Sequence, residues 1–193
     1  MKRKFNACLG FVIISTIIGG CGSQKENNSV SDTDTEKKNQ VSSIDDFLNN
    51  EITIEGISDF DKNKSYWEKC DVDRDGEEEL FIRTDKFSYI LDENDNDLKV
   101  IFEGTSYNSV VCDDEKQLYG CLYYRQEGAP LHETYQFTSF TNDGMQDSLH
   151  EYIWCDMNEN DQKDESDEYT IDNRPVNKSD WEEEVEKFSE YKK

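Results

Sequence analysis

Beyond residue 42 the chain alternates short apolar clusters with acidic and Asn-rich stretches. Over 43–50, Ile44, Phe47 and Leu48 share one helical face, and Ser42 or Ser43 can cap it, which predicts a short helix. Glu51 to Ile57 alternates, with Ile52 and Ile54 on one side, and predicts a strand. Further strands are predicted over 66–70, 80–84, 87–91, 98–103, 107–112, 118–125, 133–140 and 148–155. An Asn/Asp-rich turn after residue 91 and Asn142-Asp143-Gly144 are hairpin signals, and Gly128-Ala129-Pro130 breaks the pattern. Near the C-terminus Ser179-Asp180-Trp181-Glu182 reads as a capping box. Trp181, Val185 and Phe188 follow at helical spacing and predict a helix with one apolar face. The fold class expected is mainly β: a single antiparallel meander sheet or partly open barrel, with a short N-terminal helix and a C-terminal helix packed on it.

The first 41 residues follow another pattern. Lys2, Arg3 and Lys4 precede an apolar run, Leu9 to Ile18, that is too short for a membrane span. Ile18-Gly19-Gly20-Cys21 then resembles a bacterial lipobox, in which the cysteine thiol takes a diacylglyceryl group and becomes the new N-terminus. That resemblance implies a lipoprotein signal peptide over 1–20 and lipidation at Cys21. The mature protein would be held at the cell membrane by its acyl chains, on the extracellular face. In residues 22–41 only Val30 and Val41 are strongly apolar, so 21–41 is expected to be a lipidated flexible tether and 42–193 a single β-rich domain.

Charge narrows the function. The 193-residue chain carries a formal net charge of −24, and removal of Lys2, Arg3 and Lys4 would leave 18 basic against 45 acidic residues. This excludes a nucleic-acid reader, which needs clustered Lys and Arg, and favours cation binding. Aromatics at 12% are too many for a disordered chain and suffice for a modest core.

The candidate chemistry lies in two acidic loops. Asp71-Val72-Asp73-Arg74-Asp75-Gly76-Glu77-Glu78-Glu79 places carboxylates at alternate positions, and glycine allows a sharp bend. Calcium takes six to eight oxygens in a flexible cage. Asp71, Asp73, Asp75, the Glu77 carbonyl and Glu79 are its expected ligands. Ile82 stands where an EF-hand would place its closing acid, so this is not a full EF-hand. The loop resembles the DxDxDGxxD calcium loops of β-propeller blades, with Glu79 in place of the closing Asp. A second loop offers Asp156, Asn158, Asn160, Gln162, Asp164 and Asp167 near EF-hand spacing, with Asp161 where glycine is wanted. Asp92, Asn94 and Asn96 begin the same pattern, but Val100 fills the ninth place, and the stretch reads as a hairpin turn. Phe47-Leu48-Asn49-Asn50-Glu51-Ile52 followed by a DxDxDGxxEL loop resembles a group of exported lipoproteins of Gram-positive anaerobes. That resemblance implies architecture without an assigned activity.

Cys70, Cys112, Cys121 and Cys155 remain for the exported domain, an even number with three pairings open. Since Cys70 and Cys155 each stand one residue before an acidic loop, the pairing expected is Cys70–Cys155 with Cys112–Cys121. No Cys-x-x-Cys or paired histidine spacing argues for zinc. His132-Glu133 reads as a surface polar pair rather than an acid/base pair, and no nucleophile elbow or phosphate loop is present. Tyr119, Tyr123, Tyr124 and Tyr135 are candidates for stacking on a glycan or peptide, or for core filling. The function expected is a calcium-stabilised, non-enzymatic binding module with an unidentified protein or glycan partner. The alternative is a secreted carboxylate-dependent hydrolase.

Overall fold

In a computed structural model the described residues are 43–57, 59–94 and 97–192; the signal peptide, Cys21 and the tether lie outside them. Helix α1, Ile44–Leu48, starts where the sequence caps it. Ser43 Oγ accepts the Asp46 N–H at 3.1 Å, and the Asp46 carboxylate accepts the Ser43 N–H at 3.2 Å. The stretch 51–57 is not the strand its alternation suggested but turns and irregular backbone. Its apolar side is satisfied by burial alone. Ile52, Ile54 and Ile57 lie half-buried against the cluster of Ile44, Phe47 and Leu48, without ladder partners.

Among the described residues ten strands follow, all paired antiparallel. β1 (Tyr66–Cys70), β2 (Glu79–Arg83), β3 (Phe87–Asn94) and β4 (Asp97–Thr105) form one sheet in chain order. β5 (Asn108–Asp113), β6 (Leu118–Gln126), β7 (Leu131–Phe140), β8 (Gln146–Cys155), β9 (Glu168–Ile171) and β10 (Arg174–Val176) form the second. The protein is mainly β, as its pattern implies, but the meander is divided between two sheets and closes no barrel. β9 and β10 are too short, at four and three residues, to show a period in the sequence. Pro175 is accommodated because β10 is an edge strand.

The division follows from strands that are apolar on both faces. Leu80 and Ile82 join the cluster around α1, while Phe81 between them packs with Ile90, Val110, Cys121 and Phe140 of both sheets. Val111 and Leu122, next to Val110 and Cys121, face the opposite way, toward the C-terminal helix. Each such apolar side chain fully buried contributes about 1.5–3 kcal/mol, so covering both faces of both sheets is strongly favoured over one curved sheet.

Helix α2, Lys178–Glu186, is capped by Asn177 rather than Ser179, two residues earlier than the capping-box reading. The Asn177 side-chain oxygen accepts the Asp180 N–H at 2.9 Å and the Ser179 hydroxyl at 2.7 Å, which removes Ser179 from the cap position. Trp181 packs on Tyr135 and Tyr169 with ring centroids 6.0 and 5.7 Å away, and Phe188 packs on Phe137 and Tyr152 at 5.2 and 5.6 Å. Among the described residues no helix is long and apolar enough to cross a membrane.

A disulfide joins Cys70 to Cys112 and so ties β1 to β5 across the sheets, with Cα atoms 6.2 Å apart. The expected Cys70–Cys155 and Cys112–Cys121 bridges are not formed; Cys121 and Cys155 are free. In the β5–β6 register Cys112 faces Tyr119 and Cys121 faces Val110. The two cysteines are therefore diagonal neighbours, roughly 7–8 Å apart and outside bridging reach. Cys155 lies on β8, three strands from β5, or about 14 Å at ordinary strand spacing.

Candidate metal centre

The first acidic loop connects β1 to β2 at the seam between the sheets. The disulfide fixes its start, and Val72 is buried in the inter-sheet core. Arg74 and Gly76 turn the chain at positive φ, 63° and 100°. Glu79 opens β2 and reaches back, accepting the Val72 N–H on Oε2 at 2.6 Å. Carboxylate oxygens of Asp71, Asp73 and Glu79 all lie within 4.8 Å of one another. These acidic groups can hold a metal ion.

The electrostatics of the loop are unbalanced. Asp73 is 3% exposed and Glu79 1%. Asp71 Oδ1 and Asp73 Oδ2 are buried without a hydrogen-bond partner. Arg74, the loop's own cation, turns away and sits 4.6 Å over the Tyr119 ring. Burial first, then the charges of Asp73, Asp71 and Asp75, pushes the Glu79 carboxyl up to about 8 despite its bond from Val72. Burial likewise raises Asp73, with Asp75, Asp92 and Asp71 adding to the rise. Buried carboxylates of this kind require either protons or a cation.

Of the five expected ligands, then, the structure brings three side chains together. Asp75 stands beside them, its Oδ1 accepting the Glu77 N–H at 2.8 Å; Glu77, expected to offer only its backbone carbonyl, is exposed. Asp92, read as part of a hairpin turn, is instead buried on β3 and coupled to the loop: its charge raises Asp73, and its own carboxyl is raised by burial and then by Asp75. The signal for it was a carboxylate directly following the apolar run Tyr89-Ile90-Leu91. The β7–β8 turn closes over it, since a Cβ on Gly144 would lie 3.0 Å from Asp92 Oδ2.

The second loop is largely satisfied within itself. Asn158 and Asn160 donate to Asp164 Oδ2 at 2.9 and 3.0 Å, and the Gln162 N–H donates to Asn160 Oδ1 at 2.7 Å. Asp167 accepts from Trp154 Nε1, the Met157 N–H and the Asp164 N–H. Hydrogen bonds from Ser166 and the two asparagines hold the Asp164 carboxyl well below the usual carboxylate range. Asp156 instead gathers with His132 and Asp161, one ligand atom of each lying within 4.8 Å of the others.

The remaining candidates are spoken for. Glu133 binds Lys163 Nζ through both oxygens at 3.0 Å and accepts the Tyr135 hydroxyl at 3.2 Å, so it is not paired with His132. Tyr135 is completely buried, and Tyr124 packs against it at 4.8 Å. His150 meets Asp172 at 3.1 Å in a groove that also contains Ser148, but the Ser148 hydroxyl pairs with Ser139. Comparison with protein-family models, curated proteins and solved structures finds no match to this chain.

Proposed function

We propose that the protein is a membrane-anchored extracellular lipoprotein whose β domain is stabilised by calcium in the 71–79 loop and acts as a non-enzymatic binding module. The observation that carries this reading is the cluster of half-buried Asp71 with buried Asp73 and Glu79, in which Asp71 Oδ1 and Asp73 Oδ2 have no hydrogen-bond partner. Calcium–oxygen distances of about 2.3–2.6 Å let donors up to about 5 Å apart share one ion, whereas magnesium at about 2.1 Å demands a tighter set. Calcium also accepts an irregular, flexible set of six to eight oxygens, where magnesium demands a near-ideal octahedron, and the all-oxygen set of this loop favours calcium on that ground. Asp75, Asp92 and water are at hand to raise the coordination number. The Cys70–Cys112 disulfide agrees with an oxidising location outside the cell, and the lipobox-like Cys21 supplies the anchor. The phrase at 47–52 and the acidic loop support placement with the exported Gram-positive lipoproteins. A protein or glycan ligand is the partner expected at such a surface. The alternative, a carboxylate-dependent hydrolase, draws less support: in the groove beside β8, Asp172 accepts the Glu151 N–H and meets His150, which lower its pKa and disfavour the protonated form an acid catalyst needs.

Thermal melting of the full chain in calcium, magnesium and EDTA tests this. Extracellular calcium modules bind at about 10⁻⁴–10⁻³ M, so a concentration ten times Kd adds about 1.4 kcal/mol and raises Tm by a few degrees. Melting indifferent to calcium would refute the reading.

A further inference from the structure

We infer that His132, Asp156 and Asp161 form a second divalent-cation site, one that takes a first-row transition ion rather than calcium. The site does not depend on the 71–79 loop and uses different chemistry.

The geometry begins with the β7–β8 ladder. Leu131 pairs with Cys155 and Glu133 with Trp154, which leaves His132 as the extra residue of a bulge. A bulge re-aims its side chain, and such irregularities gather beside functional sites. The His132 ring packs edge-on against Trp154, with centroids 4.3 Å apart, beside the start of the second acidic loop. Asp156 there is completely buried, and Asp161 stands at the loop's rim with its side chain 81% exposed. One ligand atom from each of the three residues lies within 4.8 Å of the others.

The histidine itself indicates a ligand. His132 is only 8% exposed, and its Nδ1 is buried with no hydrogen-bond partner. That nitrogen faces Asp161 Oδ1 at 3.8 Å, too far for a hydrogen bond but suited to an atom between them. The other ring nitrogen, Nε2, lies 3.2 Å from the Gln126 side-chain amide nitrogen, whose two ends are interchangeable by a half-turn of the amide. With the Gln126 amide turned to present its oxygen, Nε2–H donates and Nδ1 offers its lone pair, the arrangement usual for a metal-bound imidazole. Asp156 is oriented by the Asn160 and Asp161 N–H groups, at 3.2 and 2.7 Å. Lys163, the nearby cation, is already neutralised by Glu133, so the charge of the two aspartates is left for an ion.

Donor type decides the ion. Calcium and magnesium take oxygens, whereas imidazole with carboxylates suits zinc, manganese and their neighbours. Such ions bind nitrogen and oxygen at about 2.0–2.2 Å, so one ion can span the 3.8 Å between His132 Nδ1 and Asp161 Oδ1, and exposed Asp161 is free to adjust to it.

The test is zinc titration of the full chain by calorimetry in excess calcium, with the imidazole nitrogens followed by NMR. The expected result is one zinc per chain that calcium does not displace, with the His132 nitrogen resonances shifted and those of His150 unmoved. His132→Gln should weaken binding at least 100-fold. Asp161→Asn, which keeps a residue tolerant of φ 57°, should weaken it at least tenfold, and His150→Gln should leave it unchanged. Zinc binding that survives His132→Gln, that is lost in Cys155→Ser, or that leaves the His132 resonances in place in the wild-type protein overturns the inference. None of these outcomes alters the calcium-dependent melting expected of the first loop, so the two readings fail separately.

Discussion

Glu79 accepts the Val72 N–H at 2.6 Å, and this bond closes the acidic loop with a carboxylate that is itself almost wholly buried. Its position makes stability depend on pH in an unusual direction. The Glu79 pKa is raised from 4.5 to about 8, chiefly by burial. Stability supplied by the protonated form is thus complete below about 4.5 and lost as pH rises through about 8. The melting temperature of EDTA-treated protein should fall between about pH 5 and pH 8, and calcium should restore it at the alkaline end. Glu79→Gln keeps an acceptor for Val72 but drops the charge; its melting should fall much less over this range, with only the raised Asp73 and Asp92 left to contribute, and should respond weakly to calcium. A flat profile in the wild-type protein would mean that Glu79 is not held in this environment.

The Cys70–Cys112 bridge spans 42 residues, and a loop of that length is worth about 4 kcal/mol in the chain-entropy account. Alkylation in denaturant without reductant should therefore label Cys121 and Cys155 but spare Cys70 and Cys112, as read by peptide mapping. Cys112→Ser should lower stability by about 2–4 kcal/mol. Because the Cys112 Sγ lies 3.5 Å from the Asp71 carbonyl oxygen, the same variant should also loosen the loop and weaken calcium binding. Labelling of all four thiols would remove the bridge.

Local chemistry made much of this structure legible in advance. The Ser43 cap, the β1–β2 acidic turn, the hairpins and the Trp181-Val185-Phe188 stripe each rest on residues within one or two turns of chain. The cluster of Asp71, Asp73 and Glu79 was legible for the same reason: its carboxylates come from nine consecutive residues. What could not be read depended on which face of a strand meets what. Phe81 and Ile82 are equally apolar, and only the arrival of a second sheet on one side and α1 on the other separates them. The disulfide pairing failed likewise, because Cys70 meets Cys112 through sheet stacking and not through any nearness in sequence. His132 looked like a surface residue because the bulge that turns it inward leaves no mark in the hydrophobic pattern.

The β6–β7 pairing should be sensitive to a single methyl group. Gly120 has φ +146°, and a Cβ there would lie 2.1 Å from the Thr138 carbonyl oxygen, a backbone atom that cannot swing aside. Gly120→Ala should cost about 1–3 kcal/mol or more in urea denaturation. Gly128→Ala, with nothing within 4 Å of its Cβ, should be close to neutral. Equal effects of the two would show that β6 and β7 do not approach as described.

Asp92 offers a sign test of the cation site. It is buried on β3, its charge raises the cost of ionising Asp73, and burial and then Asp75 raise its own. Asp92→Asn conserves shape and removes one of the crowded charges. In calcium-free protein at neutral pH it should therefore stabilise, by something on the order of 1 kcal/mol. In calcium the same substitution removes a group that draws the ion in, and affinity should fall about tenfold or more, as for groups surrounding a metal's direct ligands. Opposite signs with and without calcium, measured by melting and by calorimetric titration, are the mark of a residue belonging to an ion site. Destabilisation under both conditions would instead make Asp92 a structural partner of the Gly144 turn that packs on it.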